Sequence, residues 1–176
     1  AIVYCEGAFG TTNGKTAHGL VRRSRRYTVL GVVDSRHGGR DAGDVLDGRP
    51  LGIPVHGDLE TAAGHAIASG RRPTHLVVGL APDGGRLPET ARRDLVTAVR
   101  LGLNIDSGLH DFVGDDTELA ALAHAHGVVL RDIRRPPPRE QLHFFSDKIR
   151  EVDSLRIALL GTDSAVGKRT TAWILV

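Results

Sequence analysis

Apolar, β-branched runs alternate with helix-patterned stretches from residue 2 to about residue 133, and this alternation limits the possible folds more than any other feature of the sequence. Strands separated by helices pair in parallel, because each crossover helix returns the chain to the same end of the sheet. The expected strands are residues 2–5, 27–33, 53–55, 75–80, 103–105 and 128–133. They read as near-continuous apolar runs, as strands covered on both faces do. Between them, Ala17, Leu20, Val21 and Ser24 mark the small or apolar face of a first helix. Leu59, Ala62, Ala63, Ala66 and Ile67 give a second helix its stripe behind an Asp58 cap. A third begins at Pro88 and turns Ala91, Leu95, Ala98 and Val99 inward. The fourth has a capping-box-like start, with Asp115 three residues before Glu118, and Gly127 as its stop.

After Ile133 the sequence reads "RRPPPRE", and three successive prolines continue neither a ladder nor a helix. The expected organisation is an N-terminal domain over residues 1–135, a proline-rich linker over 136–154, and the opening of a second α/β unit over 155–176. In that unit "LRIALL" reads as a first strand and "GTDSAVGK" as a glycine turn leading into a helix. The chain contains no methionine and opens directly on an apolar run, so it is expected to be a piece of a longer protein. That piece is expected to be inactive, because a P-loop domain needs more sheet than 22 residues supply and Trp173, Ile174 and Leu175 would have no core to enter.

A net charge of +2, with arginines and acids interspersed, gives no basic stripe for nucleic acid. No stretch approaches the roughly twenty apolar residues of a membrane span. One cysteine, Cys5, excludes an internal disulfide and fits a reducing, cytoplasmic setting. His124 and His126, two apart on a helix, cannot share a face, and no metal site is expected.

In open parallel sheets ligands bind beyond the carboxyl ends of the strands. The strongest signal there is residues 161–170, where Gly161, Thr162, Asp163, Ser164, Gly167, Lys168 and Thr170 are the candidate phosphate-holding residues. Glycines let the backbone curl around an anion and Lys168 adds a mobile cation. Five residues separate the two glycines rather than four, a longer form that resembles the loop of dethiobiotin-synthetase-like P-loop enzymes. Arg169 stands where a hydroxyl would ligate magnesium, which favours holding a phosphate over metal-assisted hydrolysis. The first loop, "EGAFGTTNGKT", is a weaker echo, with Gly7, Gly10 and Lys15 as candidate substrate contacts. Asp34 ends the second strand, where a dinucleotide-binding domain would place its ribose acid, beside Arg36 and His37. The loop "DSGLHDFVGDD" brings Ser107, His110, Asp111, Asp115 and Asp116 to one rim, with His110 the candidate general base and Asp111 its companion.

Together, "EGAFGTTNGKTAHGLVRRSRRYTVLGVVDSRHGGRDAG", "APDGGRLPE", "SGLHDF" and "GTDSAVGKRTTA" resemble a bacterial two-domain family long of unknown function, over essentially the whole chain. The resemblance implies an α/β fold: a Rossmann-like parallel sheet with helices on both faces, followed here by a truncated P-loop NTPase-like unit. Since the family includes a D-glutamate N-acetyltransferase, it also implies acetyl transfer from acetyl-CoA to an amino acid amine, with the P-loop on the coenzyme's phosphates. His110 would then be the base, and Lys15 or an arginine would hold the substrate carboxylates. The expected partners are a small amino acid and further copies in a homo-oligomer, without nucleic acid or membrane. An ATP- and Mg²⁺-dependent kinase or ligase, an NAD(P)-binding epimerase or dehydrogenase, and a nucleotide-sensing module remain open alternatives.

Overall fold

The computed structural model describes residues 1–163 and 166–176. The chain forms two compact units, Ala1–Pro136 and Pro137–Val176. The first unit contains a six-stranded parallel sheet in the order β3-β2-β1-β4-β5-β6. Its strands are β1 (Ile2–Tyr4), β2 (Gly31–Val33), β3 (Val55–His56), β4 (His75–Val78), β5 (Asn104–Ser107) and β6 (Leu130–Asp132). The helices are α1 (Lys15–Arg22), α2 (Ala42–Asp47), α3 (Leu59–Ala68), α4 (Glu89–Arg100) and α5 (Thr117–Ala125). Right-handed crossovers put α1 and α2 on one face, and α3, α4 and α5 on the other. The helix contacts divide the same way, α1 with α2, α3 with α4 and α4 with α5.

Sheet and helices close over one core that includes Ile2, Val3, Val32, Leu76, Leu95 and Ile105. Ala91, Leu95, Ala98 and Val99 all face inward from α4, as the helical period predicts. Asp58 caps α3 by accepting the Thr61 N–H, and Gly127 adopts a left-handed φ of 65° just past α5. Other details differ. Ile67 is mostly exposed on α3, because the buried stripe there consists of Leu59 and three alanines. Ser24 lies beyond the end of α1, where its hydroxyl accepts the Tyr27 N–H. The cap of α5 is Asp116 rather than Asp115, because residues 113–115 form their own short 3-10 turn and only Asp116 reaches the Leu119 N–H.

The strands shift at their ends for local reasons. Ile53 stays outside β3 because its N–H is given to the Asp41 carboxylate. β5 runs past the apolar residues to Ser107, which is possible because the buried Asp106 is neutralised by Arg131 and bonded by the Tyr27 hydroxyl. β4 stops before Gly79, whose carbonyl accepts the Ala17 N–H. A Cβ on Gly79 would stand 2.7 Å from that of Ala17, so glycine is what lets α1 lie this close to the strand.

In the second unit the described residues form two short 3-10 turns, Arg139–Gln141 and Lys148–Glu151, and one helix, α6 (Lys168–Leu175). Residues 155–160 carry no ladder, in contrast to the strand expected there. An isolated apolar run has no neighbour to supply the hydrogen bonds that define a strand.

Candidate functional site

Strand order reverses between β1 and β4, and loops leaving those two strands diverge to opposite faces. A cleft of about 490 Å³ opens at this switch point, beyond the carboxyl ends of the strands. The β1–α1 loop contributes Asn13 and Lys15, the β4–α4 loop Asp83 and Gly85, the β5–α5 loop His110, and the turn after β6 Arg134. Of the residues picked out by sequence, Lys15 and His110 therefore meet in one cavity. A second concavity of about 560 Å³ lies at the other end of the sheet, beside Thr28 and Thr74. Its lining carries Arg26, Arg71 and Arg72, but the loops at that end follow helix carboxyl termini and so offer no row of free backbone N–H groups.

His110 is held by its backbone and through its ring. Its N–H donates to the Gly85 carbonyl at 2.8 Å, and a Cβ added to Gly85 would stand 2.2 Å from the imidazole Cδ2. Gly85 also has a φ of 65°, so both sterics and backbone reserve this position for glycine. Arg134 Nη1 donates to His110 Nε2 at 3.4 Å. A guanidinium has no acceptor, so in this contact Nε2 carries the lone pair and the ring proton is on Nδ1. Asp111 turns to the β4–α4 loop, where it accepts the Leu87 N–H at 3.1 Å.

The other members of that rim have structural work. Ser107 is buried and its hydroxyl accepts the Leu109 N–H. Asp116 caps α5 and takes a two-pronged contact from Arg92, which holds its carboxyl below the ordinary range. Asp115 pairs with Arg135, whose guanidinium lies 4.3 Å from the centre of the Phe112 ring. Asp132, at the end of β6, accepts the N–H groups of Val113 and Gly114 and so pins the loop that carries His110 to the sheet.

Asp34 is fully buried and both of its oxygens are occupied. They accept the Phe9 N–H at 2.8 Å, the Arg36 N–H at 2.9 Å and the His37 Nδ1–H at 3.3 Å. The acid that would hold a ribose in a dinucleotide-binding domain here ties the first loop to the second. Gly7 and Gly10 belong to the same arrangement: a Cβ at Gly10 would stand 2.8 Å from the His37 ring, and Gly7, at φ 68°, packs beside Arg36. Neither lines the cleft. Cys5 is buried beneath this loop, and desolvation pushes its thiol up to about 12, which keeps it protonated.

In the second unit Gly167 adopts a left-handed φ of 87° immediately before α6, and the Lys168 ammonium folds back to donate to the Asp163 carbonyl. A Cβ at Gly161 would stand 2.8 Å from Val166 Cγ2, so Gly161 and Val166 approach each other closely. Thr162 is exposed, Thr170 lies in the first turn of α6, and Ser164 lies outside the described residues.

The cleft also includes Arg134, which the sequence reading passed over, and Asp83 and Gly85 from the loop "APDGGRLPE", which it marked as ligand-facing without assigning them a role. The "DGG" at residues 83–85 was a usable signal, since two glycines after a strand mark a turn with positive φ. Arg134 carried none, being one of two adjacent arginines ahead of the prolines.

Residues 35–136 match the family described as a domain of unknown function, DUF1611_N, a Rossmann-like domain. A D-glutamate N-acetyltransferase of Tritonibacter scottomollicae is 36% identical over 97 residues, 55% of this chain and 28% of that protein. A protein of the same name from a Pseudoalteromonas species is 35% identical over an equal span. The crystal structure of a DUF1611 family protein from Anabaena variabilis superposes with a TM-score of 0.79 at 27% identity, covering 98% of this chain and 46% of that one. The chain thus spans under half the length of these relatives.

Proposed function

We propose, from the premise that the chain belongs to the DUF1611_N family of Rossmann-like domains, that it is part of an enzyme transferring an acetyl group from acetyl-CoA to the amine of an amino acid. The observation that carries this reading is the meeting of Lys15, His110 and Arg134 in one cleft at the switch point. The relatives named D-glutamate N-acetyltransferase supply the reaction class. The fully engaged Asp34 weighs against the dinucleotide alternative.

In this reading acetyl-CoA supplies an activated acyl group. The turn around Gly161, Thr162, Asp163, Gly167, Lys168 and Thr170 holds its phosphates, for which the left-handed Gly167 at the start of α6 and the Lys168 ammonium are suited. Gripping a pyrophosphate needs no magnesium hydroxyl ligand, so Arg169 at that position is compatible with the role. Lys15 attracts a substrate carboxylate, and His110 Nε2 removes the proton that must leave the amine before it can attack. Substrate-binding and homo-oligomerisation in the cytoplasm complete the proposal.

Calorimetric titration of the intact protein with acetyl-CoA, ATP and NAD tests it. Acetyl-CoA should bind, Lys168→Ala should weaken that binding about tenfold or more, and D-glutamate should be acetylated. Tight ATP binding with no response to acetyl-CoA would overturn the assignment in favour of a kinase or ligase.

A further inference from the structure

Three arginines follow one another closely at the end of β6, and two of them are committed. Arg131 is bound to the buried Asp106 and to the Tyr27 hydroxyl. Arg135 is bound to Asp115 and Asp132 and stacks on Phe112. Arg134, between them, is exposed, lines the cleft, and has no carboxylate partner among the described residues. Its one polar contact among the described residues is the long 3.4 Å donation to His110 Nε2. That distance is well beyond the usual N–H···N or N–H···O range, so the bond is weak.

The cleft's charges define a complementary ligand. Lys15 and Arg134 are cations, and Asp83 is a carboxylate on the same lining. Two positive groups and one negative match a molecule with two carboxylates and one ammonium, which is an acidic amino acid. A guanidinium facing a carboxylate makes two parallel charge-assisted bonds, roughly twice as strong each as a neutral one. A substrate carboxylate would therefore outcompete the weak contact to the imidazole.

We infer that Arg134 is a specificity-determining residue for acidic amino acids: it binds a substrate carboxylate and, in moving to it, uncovers the Nε2 lone pair of His110. The base is thus masked by Arg134 until a ligand with the right charge arrives. This rests on the reading of the cleft as an amino acid site, but not on the identity of the acyl donor.

The test uses glutarate, a dicarboxylate without an amine, titrated into the intact protein carrying ¹⁵N-labelled histidine and no coenzyme. Glutarate should move the His110 Nε2 resonance in the parent protein. Arg134→Gln should abolish that movement and weaken glutarate about tenfold or more, the scale of a lost charge-assisted pair. Arg134→Lys, which keeps the charge without the planar fork, should recover affinity in part. Glutarate binding of unchanged affinity in Arg134→Gln, or a parent His110 that glutarate leaves unmoved, would overturn the inference. Failure of the acetyl-transfer reading would appear separately, as absent turnover of acetyl-CoA with glutarate binding intact.

Discussion

His110 is the residue on which the chemistry and the cleft geometry converge. If its Nε2 accepts the amine's proton, His110→Ala in the intact protein should lower kcat by about a hundredfold or more while leaving KM within a few-fold, because a general base acts in the transition state and contributes little to ground-state binding. Equal losses in kcat/KM and affinity, with kcat preserved, would move the residue from catalysis to substrate binding. Gly85 sets that imidazole's position. Gly85→Ala forces a Cβ into the ring and a side chain onto a left-handed backbone, so stability should fall by about 1–2 kcal/mol in urea titrations and the His110 resonances should shift. A second histidine governs the response to acid. Burial lowers the pKa of His56, and the nearby His65 adds to that effect against a smaller pull from Asp58. The folded state thus binds fewer protons than the unfolded chain just below the ordinary histidine value of 6.5. Stability should fall as pH drops through that window, before the carboxylates begin to protonate. His56→Phe should flatten this part of a melting-temperature profile, and a profile with the same slope in the variant would remove His56 as its cause.

At the scale of elements, the number and order of the strands follow directly from the apolar runs, because a parallel sheet covered on both faces leaves little room for polar residues. Their lengths do not: β2 takes only Gly31–Val33 of the expected residues 27–33. What the runs do not carry is the polar bonding that trims or extends each strand. Asp106 lengthens β5 only because Arg131, from the neighbouring strand, lies beside it. α2 carries only a short apolar stripe, Ala42, Val45 and Leu46 at i, i+3 and i+4 against the core, and its ends fix it as well. Asp41 accepts the N–H groups of Gly43 and Asp44, and Gly48 ends the helix with φ 67°. The same carboxylate also accepts the N–H groups of Leu51 and Ile53, so one side chain ties α2 to the edge strand β3. Burial works to raise the Asp41 pKa, and these four N–H donors outweigh it to hold the carboxyl below its ordinary value. Asp41→Ala removes a helix cap and strands two loop amides, a loss of about 2–3 kcal/mol that chemical denaturation would read. Asp41→Asn should lose less, since one oxygen still accepts. The cleft was legible in the same partial way: the loops that form it are where a parallel sheet must bind, but the pairing of Arg134 with His110 joins residues 24 apart through the fold alone.

The whole molecule divides by how its apolar side chains are used. Among the described residues, the buried core lies entirely within Ala1–Pro136. Phe144, Phe145, Leu155, Leu160 and Trp173, all from Pro137–Val176, are each at least 75% exposed. Proteolysis reads this difference directly, because cleavage requires a segment of backbone to leave its surroundings, and that opening costs little where few apolar contacts hold it. Brief trypsin treatment of this chain should therefore cut first after Arg139, Lys148, Arg150 and Arg156. Arg135 precedes a proline and should be spared. The product should be a resistant fragment ending near Arg139, with the circular dichroism of an intact α/β sheet. If cleavage instead begins after Arg92 or Arg100 on α4, the sheet and its helices do not form the more stable part of the chain. A fragment that survives would also separate two contributions to ligand binding. Glutarate should still bind to it through Lys15 and Arg134, whereas the response to coenzyme phosphates, which the proposed function assigns to Lys168, should be lost.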